Sequence, residues 1–501
     1  MQTMRTIVNI AGTVYDALKT SVIFAEDMNA IKANIEELAG GVVPDFIASG
    51  NLANGDKVVV NADGTVSVIA GVAQNNGTNQ GAGFAGSSNA QGGCYDPASG
   101  KVVIVGQKNG QASGGGQAVI GTITGVSISF GTPVDFLASW TSDSVVIPIG
   151  SSKVMVLCCN YNTSQQGYAI VGTISGTSIS FGSAVAFNSG ASVNDSISFD
   201  WDSGNSKGLL TYRNTTTDIK AAVVTVSGTT ITINTAVTIA SVSASKSRCV
   251  WTGASNVFSV TYYDVTNSKL KSCVGTISGT TVSFGSLVDV VATAIVEVDS
   301  IYDSVAGKVV VVYKLNSDNK GYAIIGTISG TSISFGSPVV FCTTTTANIS
   351  VDADIDAHKI VVTYFNNTNS YFKIGTISGT SISFGMAVSL ASGNIAGVPN
   401  GLSYCGSNKN FLTNNASGAE GIMFTTAYSN LTSDNYLGIA KADALNTESV
   451  PVACVGSITG GQTSLTAGLK YYVDNTGALN TTSTNPYCGL AVSSTEILVK
   501  G

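Results

Sequence analysis

Between residues 73 and 432 the chain alternates apolar and polar residues in short runs, broken by Ser-Gly, Gly-Ser and Asn-rich turns. The stretch IGTISGTSISFGSPVVF, beginning at Ile325, is the clearest case. In TSISF every second side chain is large and apolar, the period-2 pattern of a half-buried strand, and this excludes helical repeats. Near copies recur. Their hairpin glycines are Gly125, Gly176, Gly228, Gly279, Gly330 and Gly379, separated by 51, 52, 51, 51 and 49 residues. A strand-patterned period near fifty is the length of one four-stranded propeller blade. In the fifth copy VEVDSIYDS, GKVVVVYKL, KGYAIIGTISG and TSISFGSPVVF read as the four strands in order.

A seventh, degenerate unit is expected across GLSYCGSNKNFLTNNASGAEGIMFTTAYSN, with TVSVIAGVAQNN near the start donating a strand where the ring closes. The sequence therefore predicts an all-β fold, a seven-bladed β-propeller over 73–432, with six blades as the alternative count. One blade cannot bury both its faces, whereas a closed ring buries them all and leaves few free edges. Outside the ring, FAEDMNAIKANIEEL predicts one short helix with Met28, Ile31, Ile35 and Leu38 as an apolar stripe, suited to core packing or an oligomer seam. The domains expected are 1–45, an attachment or oligomerisation segment carrying that helix; 46–72, the N-terminal part of a small β module; 73–432, the ring; and 433–501, the C-terminal part of the module.

Composition narrows the function. The 501 residues carry 23 Lys and Arg against 30 Asp and Glu, a net charge of −7. No basic cluster is present to neutralise phosphates, so nucleic acid is not an expected partner. No apolar run is long enough to span a membrane as a helix. The start lacks the layout of a secretory signal, so a protein working outside a cell would leave by another route, of which lysis of the producing cell is one. Nine cysteines without a C-x-x-C pair read as buried strand residues in a reducing compartment. Neither a metal site nor a cofactor motif is evident.

Little in the sequence supports catalysis. His358, the only histidine, sits in a turn. The turn aspartates Asp96, Asp202, Asp303 and Asp356 read as Asx turns rather than calcium loops. Counting from that turn puts Asp299 and Asp352 at one level of neighbouring innermost strands, where they could face the channel together, hold a cation or act on a glycosidic bond. Tyr161, Tyr212, Tyr263, Tyr313 and Tyr364 recur near the end of the second strand, before variable Asn-, Ser- and Thr-rich loops that include Asn366. They suit either packing between blades or recognition of sugar rings, which need a flat apolar face beside amide donors and acceptors.

The end segments GDKVVVNADGTVSVIAG, NYLGIAKADAL, SLTAGLKYYVDNTGALNTT and CGLAVSSTEILVKG resemble terminal modules of bacteriophage virion appendage proteins of the tail-fibre type. VYDALKTSVIFAEDMNAIKANIEEL is similar to the virion-attachment stretch of that group, and the blades to repeat arrays carried inside such proteins. The resemblance implies a non-enzymatic virion component, often a homotrimer. It would bind other virion proteins through its N-terminal segment and a host surface glycan or protein through its displayed domain. A capsid decoration or head-fibre protein and a propeller depolymerase are the alternatives. No binding residue is carried over from the family.

Overall fold

The computed structural model describes residues 43–61, 64–69, 80–81, 89–108, 114–125, 127–188, 196–214, 218–355, 358–385, 387–392, 402–406, 410–415, 420–425, 436–473, 477–481 and 486–499. The expected helix and its stripe, Met28, Ile31, Ile35 and Leu38, lie outside the described residues. Among those described, the regular structure is strand, apart from a 3-10 turn at Tyr161–Thr163. No described helix is long and apolar enough to cross a membrane.

The chain divides into two compact units, residues 1–74 with 426–501, and residues 75–425. In the first unit both chain ends enter one antiparallel sheet, in the order Asp45–Ile47, Ser449–Ala453, Tyr436–Ala440, Lys57–Val60, Val66–Val68. A second sheet holds Ile458–Thr459, Ile497–Val499, Tyr487–Ala491, Lys470–Val473 and Leu479–Asn480. Val59, Ile439 and Ala453 of the first sheet share one core with Val473, Cys488 and Val499 of the second.

The second unit is a ring of antiparallel sheets, a β-propeller. The fifth repeat is representative. Ile295–Asp303, Lys308–Leu315 and Gly321–Ser329 pair in order from the centre outward. Val309 to Val312 are all buried, because both faces of each sheet are covered by neighbouring sheets. Each such valine contributes about 1.5–3 kcal/mol on burial, which explains the unbroken apolar run. The hairpin turns through Gly330 at φ +60°, a left-handed conformation that suits glycine.

The outermost strand, expected to be continuous, is broken. Ser332–Phe335 pairs with one half of Gly321–Ser329, and after Gly336-Ser337-Pro338 the chain returns as Val339–Cys342 to pair with the other half. Gly336 donates to the Ile325 carbonyl at 2.9 Å, and a Cβ there would overlap the carbonyl of Thr380, the threonine of the next repeat's hairpin. Gly131 meets Thr177, Gly182 meets Thr229 and Gly285 meets Thr331 in the same way. The repeated hairpin thus docks against the repeated glycine of the preceding unit.

Seven innermost strands succeed one another around the ring: Asn89–Asp96, the later part of Val134–Gly150, Ser198–Asp202, Ala244–Trp251, Ile295–Asp303, Ala347–Asp354 and Ser403–Tyr404. Each packs on the next, and the last packs on the first. Val134–Gly150 begins against Gly115–Thr124 of the first repeat and ends as the innermost strand of the second, fusing the two into one sheet. In the last sheet Gln80–Gly81, from before the first repeat, pairs with Glu420–Thr425. The closing strand therefore comes from a little beyond the TVSVIAGVAQNN stretch expected to supply it.

Candidate central binding cavity

All seven innermost strands line one cavity of about 600 Å³ on the axis of the ring. Pro97, Ser203, Gly253 and Ser304 of the first-to-second-strand turns also line it, so it opens on the turn face of the disc. Tyr95, Trp201, Trp251 and Tyr302 contribute to its wall, each from the innermost-strand position just before the turn. Among the described residues the acids in the lining are Asp96, Asp200, Asp299 and Asp352, and no Lys, Arg or His lines it.

These acids also hold the ring together. Asp200 accepts from Trp201 N at 2.8 Å and, across the interface, from Trp251 N at 2.6 Å. Asp352 does the same with Ala353 N at 2.8 Å and Tyr404 N at 2.7 Å. Ser403 accepts from Tyr95 N at 3.0 Å, the equivalent bond carrying the last repeat onto the first. One level further in, Ser198 accepts from Cys249 N, Asp299 from Val351 N and Ser350 from Leu402 N. Side-chain oxygens on one innermost strand therefore satisfy backbone donors of the next, donors that have no ladder partner at the channel edge.

The electrostatics follow from burial. Asp200 is pushed up to about 6 and Asp352 to about 7 by desolvation, against the pull of their backbone donors; the fields of Asp299 and Asp200 raise Asp352 further. Burial also raises Asp299, opposed mainly by Arg248, whose Nε lies 3.2 Å from Asp299 Oδ1 in a buried ion pair.

The structure corrects the expected register. Asp352 and Asp200 pair with the third residue of their second strands, Val361 and Leu209, whereas Asp299 and Arg248 pair with the fifth, Val312 and Thr261. Asp299 and Asp352 are not at one level, because Asp354, not Asp356, is the residue that pairs with the lysine after the turn. Asp356 itself lies outside the described residues. Nor is Asp299 available to a channel cation, since Arg248 already neutralises it. Among the described residues no group of three or more His, Cys, Asp or Glu side chains is placed to hold a metal.

Three of the predicted tyrosines are buried. Tyr212 packs on Phe187, Tyr313 stacks on Tyr322 at 5.6 Å, and Tyr364 packs on Phe341 and Tyr371. Of the two readings, packing between sheets is the correct one for these three, since a ring enclosed on its faces cannot stack on a sugar. Their counterpart in the fourth repeat is Tyr262, also buried, rather than the part-exposed Tyr263; in the second repeat it is Cys158. Tyr161 lies outside that register and stacks on Trp140 at 4.3 Å. Asn366 accepts from Thr368 N and Asn369 N, capping its own turn. Asp264 and Asp318 cap the corresponding turns, so these variable loops are compact and internally bonded.

Asp96, Asp202 and Asp303 do form Asx turns, accepting from Ser99 N, Asn205 N and Val305 N. His358 is exposed. All nine cysteines are buried and unpaired, as expected; burial pushes the Cys159 thiol up to about 12, far from a reactive thiolate.

No family model matches the chain, and no curated protein sequence is detectably similar to it. Solved structures are similar to it at low identity. A protein from Lactobacillus plantarum is 12% identical, with 68% of this chain and 90% of that one covered at a TM-score of 0.46. A putative 6-phosphogluconolactonase from Bacteroides fragilis is 8% identical, with 60% and 84% covered at 0.45. The C-terminal WD40 domain of Sif2 is 10% identical, with 70% and 98% covered at 0.40. The assignment of this chain to the β-propellers rests on its own sheet order and ring closure.

Proposed function

We propose that this chain is a non-enzymatic component of a phage virion appendage, a tail fibre or spike. In this reading the unit built from both chain ends attaches to the particle, and the propeller recognises a host surface glycan or protein. The end segments quoted above support the virion part. The observation that carries the recognition part is the central cavity, whose wall of Tyr95, Trp201, Trp251 and Tyr302 presents aromatic surface where ligands of ring proteins can enter. The acids beside it are engaged in holding backbone donors, a structural duty.

A depolymerase is the second reading. It is favoured by the raised carboxyls of Asp200 and Asp352 in that cavity, the kind of shift a general acid needs. A bacterial polysaccharide array probed with the full-length protein separates the two. Saturable binding without new reducing ends supports adhesion. New reducing ends that disappear in Asp352→Asn overturn the non-enzymatic reading, and absence of binding to every polysaccharide and to intact cells overturns adhesion.

A further inference from the structure

The cavity has an uneven chemical inventory. Among the described residues four aspartates line it and no basic side chain does, while four aromatic residues share its wall. Asp299 is neutralised from behind by Arg248, but among the described residues Asp200 and Asp352 have no cationic partner, and both are part-exposed. A second observation is independent of these. Asp96 lines the cavity and is fully buried, yet its Oδ1 has no hydrogen-bond partner. In the third repeat the equivalent Asp202 uses a carboxylate oxygen to accept from Asn256 N of the next unit at 2.7 Å. The second repeat turns more tightly, from Gly150 to Lys153, and offers Asp96 no such donor. Ser300 Oγ, also in the lining, is likewise buried without a partner. Uncompensated negative charge and aromatic residues therefore converge on one space, and Asp96 Oδ1 and Ser300 Oγ are unmet acceptors buried within its wall.

We infer that this cavity is a binding site for a small organic cation, an ammonium group carried on a choline-like or amino-sugar-like molecule. The carboxylates of Asp200 and Asp352 supply the counter-charge, and the rings of Trp251 and Tyr302 supply π-faces to the cation. A volume of about 600 Å³ suits such a ligand and far exceeds a bare metal ion. Sugar and lipid headgroup are two sources of the same ammonium chemistry. The inference rests on the cavity being the recognition site proposed above.

The test uses the full-length protein and its own reporters, since two of its three tryptophans, Trp201 and Trp251, line the cavity. Choline is titrated against its neutral isostere 3,3-dimethylbutan-1-ol, and glucosamine against N-acetylglucosamine, following tryptophan emission and heat. At least one cation is expected to bind about tenfold or more tighter than its neutral analogue, and which one does so distinguishes headgroup from sugar. Asp352→Asn, which keeps one oxygen for Tyr404 N and gives up the acceptor for Ala353 N, is expected to lower that affinity about tenfold, and Trp251→Phe to lower it less. Equal binding of cation and neutral analogue, or no response to either cation, overturns the inference. Cell or polysaccharide binding that persists while the ammonium probes are ignored contradicts only this inference. Probe binding without any surface binding contradicts only the adhesive reading.

Discussion

The rim and the centre of the ring hold neighbouring units together by different chemistry. At the rim the contact is backbone against backbone, the hairpin of one repeat against a glycine such as Gly131, Gly182, Gly285 or Gly336 of the one before. The hairpin text repeats closely there, and the position is glycine except in the third repeat, where Asn234 makes the same backbone bond, to the Val223 carbonyl. At the centre the contact is a side-chain oxygen on a backbone N–H, and Ser198, Asp200, Ser350, Asp352 and Ser403 all serve. Serine and aspartate are interchangeable there as acceptors but not as charges. The inner wall can therefore vary its electrostatics without losing its joints, and it is the part of the molecule free to acquire a ligand.

The largest effect is expected at the buried pair. Arg248→Leu strands the Asp299 carboxylate in the interior and should cost about 3–5 kcal/mol in urea unfolding. Next is the rim. Gly336→Val should cost about 1–3 kcal/mol through overlap with Thr380, whereas Gly385→Val should cost less. Gly385 follows the last intact hairpin, and among the described residues the nearest atom to its Cβ would be Ile374 O at 3.7 Å. Equal costs at the two glycines would break the rim account. Smaller still is Ser403→Ala, which removes the hydrogen bond to Tyr95 N between the last and first repeats, an expected loss of about 1 kcal/mol.

A pH series sharpens the contrast. Asp352 is raised from 3.8 to about 7, so the folded protein keeps a proton that the unfolded chain releases. Its contribution to stability therefore falls as pH rises through that window. Asp352→Asn should gain stability relative to wild type between pH 4 and pH 7, measured by thermal unfolding, and Ser403→Ala should keep a constant offset. A constant offset for Asp352→Asn as well would mean that its carboxyl is not held in a desolvated site.

The ring was legible because its repeats obey a strict rim geometry: the hairpin glycines and the period-2 strands alone set its period and strand order. The inner wall was harder to read. Asp299 and Asp352 were paired by counting from a turn whose true anchor is Asp354, and a two-residue error changes which level a side chain occupies. Tyr212, Tyr313 and Tyr364 recur because they fill the space between sheets, not because they face a ligand. The cavity residues did carry a signal. GCYD, FDWD, CVWT and SIYD each place an aromatic at or one residue before the end of the innermost strand, beside the axis. Only the closed ring brings those four distant positions to one space.

The most direct measurement sets the two faces of the disc against each other in the full-length protein. One variant carries Trp251→Ala with Tyr302→Ala at the cavity, and the other carries Asp318→Ala with Asn366→Ala on the opposite loops, both compared at matched circular dichroism. Surface binding is expected to fall about tenfold or more in the cavity variant and to stay within about twofold in the loop variant. Loss in the loop variant with binding retained in the cavity variant would contradict recognition at the centre of the ring.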